Sequence, residues 1–166
     1  VLLASAIVDT YFSGQLAALD SVAQSAAVVS GDASAMHAYF GRVEPAAGGG
    51  PFAGGLGWID RRGFVRASSV AAPVPRLNLS DRTYFRTVMR SGAPYVSEGV
   101  ASRRTHRRII VVAVPTRDAS GRLTGVLTGA LNLDGFRVNS GSFDLGFTGL
   151  VVLDRGGRAV LSGFAR

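Results

Sequence analysis

Apolar residues near the amino terminus recur at steps of four and three, a spacing that places them on one face of a helix. We expect this helix to cover the first thirty residues and to stop at Gly31. Asp32 or Ser34 is expected to cap a second, short helix over residues 35–42. The apolar stripe on the first helix consists of Phe12, Leu16, Leu19, Ala23 and Ala26.

Beyond residue 55 the apolar positions alternate, which is the period of a strand. The predicted strands cover residues 56–60, 64–70, 95–102, 109–115 and 123–133. One helix interrupts them; Ser80 or Asp81 is expected to cap it and Gly92 to end it. Helix, strands, helix and three consecutive strands predict an α+β fold with a central antiparallel sheet.

The strand predicted over residues 123–133 has two unlike faces. One face carries Leu and Gly in alternation, and the other is small and partly polar. The second face suits either a closely packed helix or the floor of a pocket, and the sequence leaves both open. Its members are Thr124, Val126, Thr128, Ala130 and Asn132.

Residues 56–65 and 150–160 share a form: an apolar strand, an Asp, a basic turn with Gly, and a second strand. Any β-hairpin can produce this pattern. Its position near the carboxyl end of the chain nevertheless favours a second, similar sheet that begins near Thr148.

The formal net charge is +7, and every cation is an Arg. Residues 61–110 hold eleven Arg against two acidic residues, so this part of the chain favours an anion as its partner. Residues 103–108 include four Arg, which makes them a candidate for binding phosphates. No aromatic platform accompanies them, so a solvated connection between strands is the preferred interpretation and no nucleic acid is expected.

Templates for catalysis are missing from the sequence. There is no Cys, and His37 and His106 stand in unrelated contexts without a metal-ligand spacing. The glycines of residues 48–57 lack the Lys-Ser/Thr of a phosphate loop, and no nucleophile elbow occurs. We therefore expect a non-enzymatic domain with no metal and no cofactor.

Arg82 stands where a cation is unfavourable. It falls at the start of the predicted helix, where a positive charge opposes the helix dipole by about 0.3–1 kcal/mol. An anionic ligand would reverse this penalty, because a guanidinium and free helix amides bind one carboxylate well. The alternative is a structural ion pair between Arg82 and an acidic residue such as Asp60 or Asp81.

Residues 77–133 carry several short motifs in a fixed order, and together they resemble the membrane-distal module of double-Cache sensor domains. The resemblance implies a PAS-like antiparallel sheet crossed by the long amino-terminal helix. It divides the chain into a helical segment over 1–44, a PAS-like Cache module over 45–140, and the start of a membrane-proximal module over 141–166. The motifs are Asp81-Arg82-x-Tyr84-Phe85, Tyr95-Val96-Ser97, and Asp118-x-x-Gly121-x-x-x-Gly125-Val126-Leu127-x-Gly129.

The resemblance also implies a place in the cell. Such a domain lies on the extracytoplasmic side of the cell membrane, between two transmembrane helices of the full-length protein. It feeds a histidine kinase, a cyclic-dinucleotide enzyme or a chemoreceptor. The apolar stripe of the amino-terminal helix would pack on the sheet or form a homodimer contact.

A ligand site follows from the same resemblance. The element that holds a ligand carboxylate in the family matches Arg82, Tyr84 and Phe85. The family's Asp for a ligand ammonium would fall at Ala130, so we expect an organic acid rather than an amino acid. Further contacts are predicted from Tyr95, Ser97 and Asn132.

Two other functions remain open at this point. One is a structural or dimerisation module of the same fold that binds no small ligand. The other is a module that binds anionic surfaces through residues 103–108. A steep fall in affinity with salt would favour the second of these.

Overall fold

The computed structural model describes residues 2–44, 52–70, 77–132, 150–153 and 159–163. These form four helices and eight strands, in an α+β arrangement as predicted. The helices are α1 (Leu2–Ala23), α2 (Ala26–Val29), α3 (Ala33–Val43) and α4 (Thr83–Ser91). The strands are β1 (Gly55–Asp60), β2 (Val65–Ser68), β3 (Tyr95–Val96), β4 (Val100–Ala101), β5 (Arg108–Arg117), β6 (Leu123–Asn132), β7 (Leu150–Leu153) and β8 (Ala159–Gly163).

One antiparallel sheet organises the fold. Its strand order is β2-β1-β6-β5-β3, with β4 also paired to β5. The predicted central antiparallel sheet is therefore confirmed. Strands β7 and β8 pair with each other in a second sheet, as the hairpin pattern of residues 150–160 indicated. The proposed division at residue 141 into two modules stays a prediction.

The amino-terminal helix is shorter than expected. Helix α1 ends at Ala23, and Ser25 adopts an extended backbone with φ −63° and ψ 150°. The Ser25 hydroxyl accepts a hydrogen bond from the Val28 amide and so begins α2 as a separate turn. Ala26 is consequently exposed and does not continue the stripe. The predicted cap of the next helix is confirmed at Asp32, which accepts from the Ser34 and Ala35 amides.

The rest of the stripe packs on the sheet as predicted. Leu19 and Ala23 are buried, and Phe12 and Leu16 are partly buried against the same core. That core lies between α1–α3 and one face of the sheet, and includes Trp58. The Trp58 indole donates to the Thr116 hydroxyl at 3.0 Å, so its polar group is satisfied inside the core.

A second, smaller core covers the opposite face of the sheet. Strand β5 turns Val112 and Val114 toward α1 and turns Val111 and Ala113 toward α4, so both its faces are buried. This explains the nearly continuous apolar sequence of β5, since a strand covered on one face alone would alternate. Helix α4 contributes Tyr84, Phe85 and Val88 to this second core.

The strand predicted over residues 95–102 is broken into β3 and β4. Ser97 causes the break. Its backbone N–H donates to the Val111 carbonyl, and its hydroxyl accepts from the Val111 amide while donating to the Glu98 carbonyl. A side chain that takes the place of a backbone acceptor interrupts the regular pairing of the strand.

The described helices include none that is both long and apolar enough to cross a bilayer. The expected flanking transmembrane helices stay a prediction.

Leu19→Ala should destabilise the protein by about 2–5 kcal/mol, because Leu19 is fully buried beneath α1 and its removal leaves a cavity. The free energy of unfolding from urea titration is the measurement. Ser21→Ala on the exposed side of the same helix is the control and should change it by at most about 0.5 kcal/mol. Equal effects of the two substitutions would contradict the packing of α1 on the sheet.

Gly125→Ala should destabilise the fold by about 1–3 kcal/mol or more, because a Cβ at Gly125 would lie 2.1 Å from the Ile59 carbonyl oxygen in the paired strand. The control is Gly14→Ala inside α1, where a Cβ meets nothing within 4 Å. That variant should gain about 0.5–1 kcal/mol from helix propensity. Thermal denaturation of both proteins compares them directly, and a stabilised Gly125→Ala would refute the close approach of β1 and β6.

Candidate functional site

A cavity of about 150 Å³ lies on the face of the sheet that is opposite α1. Its floor is made by small or aliphatic residues of the three central strands. The predicted small face of β6 contributes Thr128 and Ala130 to it, so this face is a pocket floor at one end and a helix-packing surface at Val126. The other floor residues are Gly57, Ile109 and Val111.

Two glycines on strand β1 leave the floor of the cavity without side chains at their positions. Gly57 pairs with Thr128 across the sheet, and a Cβ on Gly57 would stand 3.3 Å from the Thr128 hydroxyl. Gly55 has a φ of +97°, and a Cβ there would meet the Val70 side chain at 2.1 Å. Larger residues at these two positions would fill the space or strain the strand.

Two segments form the walls above this floor. One runs from Leu77 to the start of α4 and contributes Leu79, Arg82 and Tyr84. The other is β4 with the turn that follows it, residues 100–104. The cavity is therefore apolar at its base and strongly basic at its rim.

Arg82 lines the cavity as the residue that precedes α4. Its backbone is extended, with φ −71° and ψ 136°, and its side chain makes no capping bond. One guanidinium nitrogen, Nη2, donates to the Ala101 carbonyl at 3.0 Å. The structural ion pair considered for Arg82 is not formed, because Asp60 binds Arg66 and Asp81 binds Arg103.

Tyr84 lines the cavity beside Arg82. The side chain is buried, and burial raises the pKa of its phenol to about 12, even though the nearby Arg82 cation acts in the opposite direction. Within the part of the chain that the structure describes, nothing hydrogen-bonds this hydroxyl. A phenol that lines a cavity can donate a hydrogen bond to a ligand there.

Arg103, in one wall of the cavity, forms hydrogen bonds with residues of the segment that makes the other wall. Its guanidinium donates to both carboxylate oxygens of Asp81, at 2.9 and 2.5 Å, and to the Asn78 carbonyl at 2.6 Å. The hydrogen bond from Arg103 holds the pKa of the Asp81 carboxyl below its usual value. Arg104 donates to the Val70 carbonyl at 3.3 Å. Residues 103–108 are all exposed, in agreement with the expected solvated connection, but Arg103 and Arg104 also bind neighbouring segments.

The remaining predicted site residues lie elsewhere. Phe85 is buried in the core between α4 and the sheet, and Tyr95 packs against that core. Ser97 is occupied by its backbone hydrogen bonds to residues 98 and 111. The side chain of Asn132 lies outside the described residues. None of Phe85, Tyr95 and Ser97 lines the described cavity, and contact of these four residues with a ligand stays a prediction.

Sequence reasoning missed Arg103 and Arg104 as cavity residues. Both stand in the turn that leads into β5, and their reach to the segments at Asn78 and Val70 depends on tertiary contacts. The high density of Arg in residues 103–108 was the available signal, but these residues were interpreted as a solvated connection between strands and not as part of a cavity. No group of three His, Asp or Glu residues among those described is close enough to hold a metal.

The sequence matches the Cache domain family over residues 3–165. It is 29% identical to sporulation kinase D of Bacillus subtilis over 80 residues, which cover 48% of this chain and 16% of the kinase. The chain thus spans a small part of that relative.

Solved structures share the fold. The ligand-binding domain of the Pseudomonas fluorescens chemoreceptor CtaA, in complex with L-serine, superposes with a TM-score of 0.73 at 19% identity, covering 96% of this chain and 67% of that one. The ligand-binding domain of the Pseudomonas aeruginosa chemoreceptor PctC, in complex with GABA, gives 0.71 at 18% identity, covering 96% and 71%.

These structures correct one expectation. We expected an organic acid in preference to an amino acid, because Ala130 replaces the family's Asp. That preference is wrong: the solved domains hold L-serine, L-isoleucine, L-alanine and GABA. A carboxylate at one position is not the sole way to hold an ammonium group, since carbonyl oxygens and aromatic faces also attract cations.

The expectation about the family itself is confirmed, because the match extends over nearly the whole chain and the antiparallel sheet and long first helix agree with it. The chain belongs to the Cache domain family.

Proposed function

We propose that this chain is the ligand-binding domain of a membrane signalling protein and that a small carboxylate-bearing molecule of the amino-acid class binds in the cavity beside Arg82. The Cache match and the chemoreceptor and kinase relatives support the sensor role. By analogy with them, the domain lies on the extracytoplasmic side and its role is recognition rather than catalysis. The output domain would be a kinase or a chemoreceptor signalling region.

The observation that carries the proposal is that two residues with polar side chains, Arg82 and Tyr84, line the cavity together. Arg82 donates one guanidinium N–H to the Ala101 carbonyl, and the other donors of its planar guanidinium remain for a ligand carboxylate. The Tyr84 hydroxyl stands beside it without a protein partner among the described residues. Charge-assisted hydrogen bonds of this kind contribute about 1.5–3 kcal/mol each.

The apolar floor suits the rest of such a ligand. Val111 and Ile109 offer aliphatic contact, and the Thr128 hydroxyl donates to the Gly57 carbonyl, so it is satisfied within the sheet. The floor therefore adds burial and shape rather than charge. Few polar groups over a mainly apolar surface are typical of small-molecule sites, where the polar groups fix the orientation.

Signalling requires that a ligand favour one arrangement of the domain over another. The cavity walls come from the segment around Arg82 and from β4, and these are joined by the Arg82–Ala101 and Arg103–Asp81 contacts. A ligand held by Arg82 would draw these walls together over the floor. Such a closure is a differential contact of the kind that shifts a two-state equilibrium.

Arg82→Ala should weaken binding of the cavity ligand by about ten- to hundredfold, because the carboxylate loses its charged partner. The measurement is isothermal titration calorimetry with the common L-amino acids and GABA, preceded by a thermal-shift screen of the same set. Arg82→Lys should restore little of the affinity, because an ammonium lacks the planar fork.

Arg86→Ala is the matched control, because it removes the same charge at a different place. Arg86 lies on the exposed side of α4 and does not line the cavity. This variant should leave the affinity within about twofold of the unaltered protein. Equal binding by the Arg82→Ala and Arg86→Ala proteins would refute the site. If no member of the ligand set binds the unaltered chain, the ligand-free structural module becomes the better account.

A further inference from the structure

We infer that the cavity prefers amino acids with an acidic side chain to neutral ones, with Arg104 taking the second carboxylate. This inference rests on the proposed function and adds the substrate class. It comes from the charges at the rim of the cavity, where Arg103 and Arg104 join Arg82 although they are not part of the matched family motifs.

The described lining is basic and contains no acid. Arg82, Arg103 and Arg104 all line the cavity, and no Asp or Glu does so among the described residues. Residues 71–76, whose structure is not described, include Arg76 and no acidic residue in the sequence. No carboxylate from this stretch is therefore available to offset the charge.

Among the described residues, Arg103 is the one lining guanidinium that forms an ion pair, through two hydrogen bonds to Asp81. Arg82 and Arg104 instead donate to neutral acceptors, the carbonyls of Ala101 and Val70. The Asp81 carboxylate also attracts Arg82 but forms no ion pair with it. Within the described part of the chain, the lining thus carries an excess of positive charge, and the repulsion between its guanidiniums is relieved when anionic groups bind between them.

A neutral amino acid compensates this charge poorly. It brings one carboxylate and one ammonium, so it adds no net negative charge, and its ammonium is repelled by the second guanidinium. An acidic amino acid has a net charge of −1 and two carboxylates, one for Arg82 and one for Arg104. Arg binds carboxylates through a planar fork, so both contacts are geometrically favourable.

The size of the cavity sets the upper limit of the ligand. A cavity of about 150 Å³ is in the range that holds a benzene-sized molecule, so a single small amino acid is the appropriate class and a peptide is too large. The rim position of Arg104, which is exposed, places the second carboxylate near the opening.

The test compares ligands that differ by charge at nearly constant shape: L-aspartate with L-asparagine, and L-glutamate with L-glutamine. Calorimetric titration of the 166-residue chain should give a Kd at least about tenfold lower for one acid than for its amide. Arg104→Gln should reduce that ratio to about twofold or less. Arg104→Lys keeps the charge but loses the planar fork, so it should retain a ratio between that of the unaltered protein and that of Arg104→Gln.

Arg86→Gln removes the same charge away from the cavity and should preserve the ratio, which separates a local contact from the overall charge of the domain. A melting temperature for each variant shows that it is folded before it is titrated. If acids and amides bind equally, and both depend on Arg82, the inference is overturned while the proposed function stands. If none of the four ligands binds, the inference fails, and the amino-acid and GABA titrations described above decide the proposed function separately.

Discussion

The burial of β5 on both faces is the constraint from which the rest of the architecture follows. Val112 and Val114 need cover on one side, and Val111 and Ala113 need it on the other. A sheet with one solvated face would leave half of these side chains in water. The free energy of folding would then lose about 25 cal/mol for each Å² of apolar surface left exposed. The helices α1–α3 supply one layer, and α4 with its flanking segments supplies the second.

The second layer is incomplete, and the cavity occupies the gap. Helix α4 covers Ile59 and Val126, which are large enough to fill the space beneath it. Further along the same strands the floor changes to Gly57, Thr128 and Ala130, and the walls there are a short strand and a turn. The small floor residues therefore leave a cavity at this point of the sheet.

Periodicity was sufficient to predict the strands, the order of elements and the two faces of β6, because these depend on local pattern. It was insufficient where one hydrogen bond decides the outcome, as at Ser25, which ends α1 early. Tyr84 and Phe85 both belong to the second core, but of the two Tyr84 alone also lines the cavity, because successive residues of a helix are rotated by about 100°. Arg103 and Arg104 reach their partners through contacts distant in sequence, which no local pattern records. A single substitution at Ala130 was too narrow a basis for choosing a ligand class.

The hydrogen bond from Arg82 to the Ala101 carbonyl links the cavity to the stability of strand β4. Strand β4 has only two residues, and among the described strands it pairs with β5 alone. A ligand that fixes the remaining donors of the Arg82 guanidinium also fixes the nitrogen that holds this carbonyl, so binding steadies the short strand. The backbone amides of Val100 and Ala101 would then report occupancy through a slower rate of hydrogen exchange.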